Sequence, residues 1–259
     1  MGELMPAVFL GYGNPMNALQ TNPFTERWRR IGADLPRPKA ILAVSTHRYI
    51  ADTSVTTGRF PETIHDFYGF PGELFKVNYP APGSPELAER VREQLRPLDV
   101  LPEGRRGLDH GVWAVLRHLF PDADNPNVQL SIDSTKDPEF HFETGRRLQP
   151  LREEGVLVIG SGNIIHNLRV YRWDDPDTAP FDWALRFESD VKRLMLEGNG
   201  HRLVDFMLTG EDASLASPTP DHFLPLLYIL GLQGVNDSVS YPVEGFEGGA
   251  LSMLSVRVG

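Results

Sequence analysis

Four short apolar runs dominate the hydrophobic pattern of the chain, and turn residues bound each of them. The runs are Ala7 to Leu10, Ala40 to Val44, Val128 to Ile132 and Val156 to Ile159. Because successive strand residues point to opposite faces, a continuous apolar run is typical of a strand that is buried on both faces. The pattern therefore predicts four buried strands in the interior of a sheet.

Segments with helical periodicity separate and follow these strands. They run from Ala18 to Ile31, Ser84 to Leu95, Val112 to Phe120, Glu139 to Glu153, Trp183 to Leu196 and His222 to Leu230. Ser84 before Pro85 is typical of a helix N-cap followed by a first-turn proline. The last apolar segment, Ala250 to Val258, predicts a final strand.

The order of these elements predicts the fold class. Strands that alternate with helices favour an α/β fold with a central, mostly parallel sheet flanked by helices. The sequence contains no internal repeat or low-complexity tract, so residues 1–259 are interpreted as a single domain. The proline- and glycine-rich segment from Phe70 to Pro85 lies inside the pattern and is interpreted as a functional loop.

Composition narrows the classes of function. The 35 acidic and 25 basic residues give a formal net charge of -10, which disfavours binding to nucleic acid or to an anionic membrane surface. The chain has no cysteine, so disulfides, thiolate metal sites and cysteine nucleophiles are excluded. The short apolar run near the N-terminus has no basic region before it and is too short for a signal peptide or a membrane span. A cytoplasmic protein is expected.

Candidate chemistry lies where the predicted strands end. The first run is followed by Tyr12, the second by His47 and the fourth, after a Gly-Ser-Gly-Asn turn, by His166. In an open parallel sheet, ligands bind outside the carboxyl ends of the strands. His110 and His222 lie in turn-like segments and are the two further candidates. Neutral imidazole suits Fe(II) and Zn(II), so a metal site is expected here.

Other interpretations of these motifs are weaker. The Gly-x-Gly turns at 11–13 and 160–162 do not extend to a full dinucleotide fingerprint, and Ser161 does not lie in a Gly-x-Ser-x-Gly elbow. His118, His141 and His201 lie in or beside helical stretches and are interpreted as structural. Asp221 is a possible N-cap for the helix that follows, which would leave His222 either in the cleft or in solvent.

Six motifs, in order along the chain, resemble one known family. They are LGYGNPMN at 10–17, STH at 45–47, GLDHG at 107–111, VQLSID at 128–133, GSGN at 160–163 with HNL at 166–168, and PTPDH at 218–222. Together they resemble the 4,5-DOPA extradiol dioxygenases, which belong to the class III, LigB-like extradiol enzymes. The resemblance runs from about residue 6 to the C-terminus.

The resemblance implies a role for each candidate. His47 and His222 match the family's metal ligands, His166 resembles its acid–base catalyst, and His110 looks like a second residue poised over the substrate. The family's third metal ligand is a histidine in the first motif, and Tyr12 stands at that position here. A tyrosinate can ligate a metal that displaces its proton, so Tyr12 is interpreted as the third ligand.

The resemblance also suggests residues that bind the substrate. Arg48 stands where the family usually has tryptophan, and His65 stands where tyrosine is common. Arg48 could pair with a substrate carboxylate, although a solvated surface arginine is an equal alternative. Asn163, in the Gly-Ser-Gly-Asn turn, is the third candidate.

The function implied is extradiol cleavage of a catechol such as DOPA, with Fe(II) as cofactor and O2 as cosubstrate. His166 would move protons and His110 would hydrogen-bond the reacting oxygens. Two alternatives stay open. One is a different reaction that depends on Zn(II), and the other is a catalytically degenerate member that binds a small aromatic compound.

Overall fold

The computed structural model describes residues 4–206 and 209–259, whose strands form one large sheet and one small hairpin. The strands are β1 (Ala7–Gly11), β2 (Ala40–Ile50), β3 (Ser54–Thr56), β4 (Leu101–Glu103), β5 (Asn127–Asp133), β6 (Val156–Gly162), β7 (Val239–Val243), β8 (Phe246–Glu247), β9 (Leu251–Ser252) and β10 (Ser255–Val258). The α-helices are α1 (Pro23–Asp34), α2 (Pro85–Gln94), α3 (His110–Leu119), α4 (Pro138–Arg147), α5 (Pro150–Glu153), α6 (Asp182–Leu196), α7 (Leu203–Phe206), α8 (Glu211–Ala216) and α9 (Leu224–Gly231).

The large sheet has the strand order β4-β3-β5-β2-β6-β1-β10-β7. The four strands at its centre, β5, β2, β6 and β1, pair in parallel, whereas β10 and β7 pair antiparallel at one side. Parallel neighbours require crossover connections, which the helices supply. The predicted α/β fold with a mostly parallel, helix-flanked sheet is confirmed.

Each face of the sheet is covered by its own hydrophobic core. Along β2, Leu42 and Val44 belong to the core on one face, and Ile41 and Ala43 belong to the core on the other. Strand residues alternate between faces, so both faces of a strand inside such a sheet must be apolar. This double burial explains why three of the four predicted runs are continuously hydrophobic, whereas in β5 the polar side chains of Gln129 and Ser131 are buried and hydrogen-bonded.

The predicted helices exist, but several boundaries differ. The first begins at Pro23 instead of Ala18, because the Asn22 side chain accepts hydrogen bonds from the backbone N–H groups of Phe24 and Thr25 and caps the helix there. The segment 139–153 forms two helices, with Pro150 at the start of the second. Proline cannot donate the backbone hydrogen bond that a continuous helix needs.

Two strands also differ from the pattern. The segment 250–258 divides into β9 and β10, and β2 continues beyond Val44 to Ile50. Along this extension the pairing jumps from Val44 opposite Leu130 to Tyr49 opposite Ile132, so residues 45–48 form an irregularity against β5. His47 therefore lies within a bulged strand and not in a loop after it.

Short strands β3, β4, β7 and β8 were not predicted, because their few residues carry no continuous apolar run. The segment 70–85 contains a single 3-10 turn at Leu74–Lys76 and otherwise connects elements as a loop. Among the described residues, no helix is long and apolar enough to cross a membrane.

Candidate active site

One cavity of about 680 Å³ lies at the carboxyl ends of the central parallel strands. Five side chains that the sequence singled out line it together: Tyr12, His47, His110, His166 and His222. These residues are far apart in the chain, and the parallel arrangement of β1, β2 and β6 brings them to the same edge of the sheet.

The phenol of Tyr12 lies between two histidines at the base of the cavity. Its hydroxyl oxygen is 2.9 Å from Nε2 of His47 and 3.1 Å from Nε2 of His222. Tyr12 is buried, and it follows β1 directly, so the strand holds its backbone in place. The three side chains predicted as metal ligands therefore converge on one point.

A carboxylate lies beside the other ring nitrogen of each histidine. Nδ1 of His222 is 2.7 Å from Oδ2 of Asp221, at ion-pair distance but without an aligned hydrogen bond, and Nδ1 of His47 is 3.7 Å from Oδ2 of Asp66. Thr46 donates a hydrogen bond of 3.2 Å to the same oxygen of Asp221. A carboxylate at Nδ1 favours the tautomer with its proton there, which leaves the Nε2 lone pair free.

The donor atoms at this point suit a metal ion. Two Nε2 lone pairs face the Tyr12 hydroxyl, but its one proton can satisfy only one of them. A cation satisfies all three atoms at once. Ligands that lie cis on a six-coordinate metal at about 2.1 Å are about 3.0 Å apart, close to the two oxygen–nitrogen separations observed. The residues present therefore fit a mononuclear metal.

A second group of donors overlaps this one. Ligand atoms of His47, Asp66 and His110 lie close enough together to hold a metal, and two histidines with one carboxylate are a known iron-binding set. However, Oδ1 of Asp66 already accepts hydrogen bonds from both the backbone N–H and Nδ1 of His110. This geometry favours Asp66 as the group that orients the two rings.

Two glycines allow the histidines to approach the sheet. A Cβ atom on Gly162 would lie 2.2 Å from the carbonyl oxygen of His222, and one on Gly111 would lie 2.9 Å from the His47 ring. Side chains at these positions would displace the backbone of His222 and the ring of His47. The glycines in the GSG and DHG motifs therefore serve close packing around the site, and a nucleotide-binding role is not needed to explain them.

The bulge in β2 is tied to the start of α3 through a buried aspartate. Asp109 accepts a hydrogen bond of 2.7 Å from the Ser45 hydroxyl and another of 2.7 Å from Nε2 of Gln129, and it also caps α3 by accepting from the N–H of Val112. His110 is the first residue of that helix. One carboxylate thus fixes the positions of His47 and His110 relative to each other.

His166 and His110 lie against the predicted ligands. The His166 ring stacks on His222, with centroids 3.4 Å apart and 8° between the planes, and the centroids of His110 and His47 are 3.9 Å apart. Nδ1 of His110 is 2.9 Å from Oδ1 of Asp66. This contact leaves Nε2 of His110 as the ring nitrogen available for a ligand in the cavity.

Burial sets the electrostatics of the site. It lowers the pKa of His47 well below 6.5, with a further contribution from His110, and it lowers the pKa of His166 in the same way, with a contribution from His222. Burial also raises the pKa of the Tyr12 phenol, and the charges of Asp221 and Asp109 add to this effect. His47 and His166 are therefore neutral near pH 7, as metal ligation and proton acceptance require.

The carboxylate of Asp66 has the opposite shift. Burial raises its pKa, but the hydrogen bond and the charge of His110 outweigh this effect and lower the pKa to about 2. Asp66 therefore carries a negative charge at all physiological pH values.

Aromatic and apolar side chains form the outer wall of the cavity. This wall consists of Phe67, Tyr68, Phe70, Leu168 and Trp173. Phe67 contacts the edge of the His110 ring, with centroids 5.3 Å apart. The combination of an apolar wall with a polar base suits a flat aromatic ligand that carries polar groups at one end.

Comparison with known proteins now identifies the family. Residues 6–248 match the family model described as the catalytic LigB subunit of aromatic ring-opening dioxygenase. The chain belongs to the LigB family. The prediction of an enzyme of the class III extradiol dioxygenase type, an oxidoreductase, is confirmed.

Relatives of this LigB-family protein cover nearly its whole length. It is 50% identical over 259 residues to "4,5-DOPA dioxygenase extradiol" of Escherichia coli K12, covering 98% of this chain and 95% of that one. It is 36% identical over 256 residues to the Beta vulgaris protein of the same name, covering 96% and 94%. A crystal structure of an uncharacterized Escherichia coli K12 protein superimposes with a TM-score of 0.86 and 46% identity, covering 98% of this chain and 100% of that one.

Arg48 of the LigB-family protein does not lie where the prediction put it. The side chain is buried, and its guanidinium donates hydrogen bonds to the Ser54 hydroxyl at 2.8 Å and to the Gln129 carbonyl at 3.3 Å. It is absent from the cavity wall. Neighbouring strand residues point in opposite directions, so a cavity-facing His47 turns Arg48 towards β3 and β5. The prediction that Arg48 binds the substrate or lies in solvent is wrong.

His65 and Asn163 also lie outside the cavity lining. Nε2 of His65 donates to the Val77 carbonyl at 2.9 Å, and the ring stands behind Phe67. The Asn163 amide donates to the Ser252 carbonyl at 2.7 Å, and its backbone N–H donates to the carbonyl of His222 at 2.9 Å. Both residues therefore contact backbone near the cavity without lining it.

The histidines interpreted as structural lie away from the site of this LigB-family protein. His118 bonds the Asn17 carbonyl, His141 bonds the Tyr228 hydroxyl, and His201 pairs with Glu139. Asp221 is not a helix N-cap, because Thr219 precedes the 3-10 turn in which it lies. Sequence reasoning missed the roles of Asp66 and Asp109, although each is directly adjacent to a histidine in the chain.

Proposed function

We propose that this protein cleaves the ring of a catechol such as DOPA in the extradiol manner, with dioxygen as cosubstrate and Fe(II) as cofactor. The single observation that carries the proposal is the convergence of the Tyr12 oxygen and two histidine nitrogens at the base of an apolar cavity. The names of two relatives, both 4,5-DOPA dioxygenases, support the choice of substrate.

Tyr12, His47 and His222 would hold the iron. When bound, Fe(II) supplies the redox chemistry that lets dioxygen react with an electron-rich ring. Tyrosinate with two neutral imidazoles carries the same charge as the two-histidine, one-carboxylate set of other non-haem iron enzymes. The partly exposed carboxylates of Asp66 and Asp221 would fix the ring orientation of the two histidine ligands.

His166 is the residue that accepts a proton in this proposal. Its lowered pKa keeps the imidazole neutral at pH 7, and it lines the cavity beside His222. A catechol must lose hydroxyl protons to react, and a neutral imidazole next to the bound oxygens can take one and return it later. His110, held by Asp66, presents Nε2 to the same space and hydrogen-bonds a substrate oxygen.

A second candidate function is binding of an aromatic compound without ring cleavage. It is favoured by the raised pKa of the buried Tyr12 phenol, which keeps its proton and can donate it to one of the two histidines. The third possibility, a reaction that depends on Zn(II), uses the same donor atoms.

Anaerobic loading with Fe(II), addition of DOPA and then admission of dioxygen tests the proposal. The expected product has the mass of the catechol plus both oxygen atoms, less any water lost on cyclisation, and it absorbs in the visible. Protein loaded with Zn(II) is the control and should give no product. Binding of DOPA without any ring-opened product would support the second candidate, and full activity of the zinc-loaded protein would support the third.

A further inference from the structure

The cavity lining carries negative charge but no permanent positive charge. Asp66 contributes a carboxylate to the lining, and none of the described lining residues is lysine or arginine. The residues outside the described ranges, 1–3 and 207–208, include no lysine or arginine either. A substrate carboxylate would therefore meet no side-chain cation in the cavity.

Two arginines that lie beside the strand of His47 point away from the cavity. Arg48 is buried between β3 and β5, and the Arg106 guanidinium donates to the backbone carbonyl of His47 at 3.1 Å. Neither lines the cavity. Both positive charges are therefore behind the strand that carries His47, and neither can form a direct ion pair with a ligand.

Two further carboxylates stand behind the base of the site. Oδ2 of Asp221 lies 2.7 Å from Nδ1 of His222, and Asp109 accepts a hydrogen bond from the Ser45 hydroxyl beside the bulge that carries His47. The carboxylates of Asp66 and Asp221 already balance the two positive charges of a divalent ion, and a tyrosinate at position 12 would add a further negative charge. The field in the cavity therefore opposes an additional anion and attracts a cation.

The mouth of the cavity is aromatic and open to solvent. Tyr68 is 92% exposed, Trp173 is 58% exposed and Leu168 is 45% exposed, although all three line the cavity. A catechol whose ring oxygens reach the base would place its side chain between these residues. Aromatic faces attract ammonium groups and offer nothing to a carboxylate.

From these charges we infer that the site selects catechols whose side chain is cationic or neutral and discriminates against a side-chain carboxylate. The inference rests on the proposed function, because it assumes that the catechol oxygens face Tyr12 and the histidines. It distinguishes DOPA, which carries both an ammonium and a carboxylate, from DOPA methyl ester, which keeps the ammonium and loses the negative charge.

Equilibrium binding to anaerobic, Fe(II)-loaded protein tests the inference. Quenching of the intrinsic tryptophan fluorescence measures the binding. The ligands are DOPA, DOPA methyl ester, 4-(2-aminoethyl)catechol and 4-ethylcatechol. An unpaired charge in such a field is expected to weaken binding about tenfold, so the ester should bind about tenfold more tightly than DOPA. The amine should bind at least as tightly as the neutral ethylcatechol. Equal or tighter binding of DOPA than of its ester would overturn the inference.

A charge added at the mouth gives the reciprocal test. Leu168→Arg should bring DOPA and its methyl ester to nearly equal affinity, whereas Leu168→Gln, of similar size but neutral, should keep their ratio. Arg169, the next residue, is absent from the cavity lining, so Arg169→Gln should also keep the ratio. Loss of DOPA binding in Arg169→Gln would show that a cation serves the carboxylate and would contradict the inference.

Failure of ring cleavage would be a separate result. The affinities are measured without dioxygen, so the order of the four ligands can be obtained even if none of them is cleaved. Where cleavage does occur, kcat/KM should follow the same order.

Discussion

The imidazole rings of His166 and His222 lie parallel, with their centroids 3.4 Å apart. At this separation the two rings cannot both be protonated without strong repulsion, and burial lowers the pKa of His166 well below 6.5 with the charge of His222 as the next cause. The residue proposed to move protons thus takes its neutrality from burial and from its contact with a proposed metal ligand.

Lowering the pH from 7.5 to 5.5 is expected to destabilise the metal-free protein. His47 and His166 have lowered pKa values in the folded state, so below about pH 6.5 the unfolded chain binds protons that the folded protein does not. The free energy of unfolding should fall by up to about 1.4 kcal/mol per pH unit for each of these histidines. Urea denaturation at the two pH values measures it.

A matched variant isolates one histidine in that trend. His118 and His141 also have pKa values lowered by burial and contribute to the same slope. His166→Gln should reduce the pH dependence of the free energy of unfolding by the contribution of one histidine and leave the contributions of the other histidines. An unchanged slope in this variant would contradict the lowered pKa of His166.

Substitution of the two stacked histidines is expected to separate catalysis from metal binding. His166→Gln should retain Fe(II) and lower kcat by about 10²- to 10⁴-fold, the range for loss of a general acid–base group. His222→Gln should lose Fe(II) affinity and activity together. Metal analysis after dialysis, combined with turnover at saturating Fe(II), distinguishes the two variants. Loss of metal from His166→Gln would instead assign His166 as a metal ligand.

The visible absorption spectrum of the iron-loaded protein tests whether Tyr12 is a metal ligand. A tyrosinate bound to ferric iron gives a charge-transfer band in the visible, so oxidised, iron-loaded protein should show this band and Tyr12→Phe should lose it. Tyr12→Phe should also bind Fe(II) less tightly because only two imidazoles remain, whereas Tyr12→His should bind it through three. Retention of the band in Tyr12→Phe would exclude Tyr12 as the chromophore.

Asp221 should control metal affinity without touching the metal. Asp221→Asn removes the negative charge 2.7 Å from Nδ1 of His222 and keeps the shape of the side chain. Loss of such an orienting carboxylate typically lowers metal affinity about 10- to 100-fold. Competition with a metal-sensitive dye measures this change. Asp124→Asn, at an exposed ion pair with Arg37, is the control and should change nothing.

The largest loss of stability is expected from Asp237→Asn. The Arg152 guanidinium is 0% exposed, pairs with Asp237, and donates hydrogen bonds to the carbonyls of Met5 and Leu232 at 2.7 and 2.8 Å. Neutralising Asp237 leaves a buried cation without its counter-ion, at a cost of about 3–5 kcal/mol. Chemical denaturation should show this loss. A change under about 1 kcal/mol, as for an exposed pair, would contradict the assignment.

Much of the site follows from local sequence. Tyr12, His47 and His166 follow apolar runs, and parallel strands carry such residues to one edge of the sheet, so their convergence was predictable. His110 and His222 required the resemblance to LigB enzymes, since no periodicity places a turn residue in a cleft. The apolar runs themselves predicted the four central strands, because strands that are buried on both faces are rich in apolar residues.

Other features depend on contacts that only the folded chain makes. The bulge at 45–48 turns His47 into the cavity and Arg48 away from it, and strand alternation read from the sequence could not include a shift in pairing with β5. Asp66 reaches His110 from a loop that lies 44 residues earlier in the chain. Such a pairing has no local sequence signal.

The sequence by itself determined the fold class, the family and the residue types available to the chemistry. The tertiary structure decided which of those residues face the cavity, which carboxylates orient them, and that no arginine is among the described residues that line it. The physical reason is that hydrophobic burial specifies strands and helices locally, whereas the direction of a side chain depends on register and on partners distant in the chain.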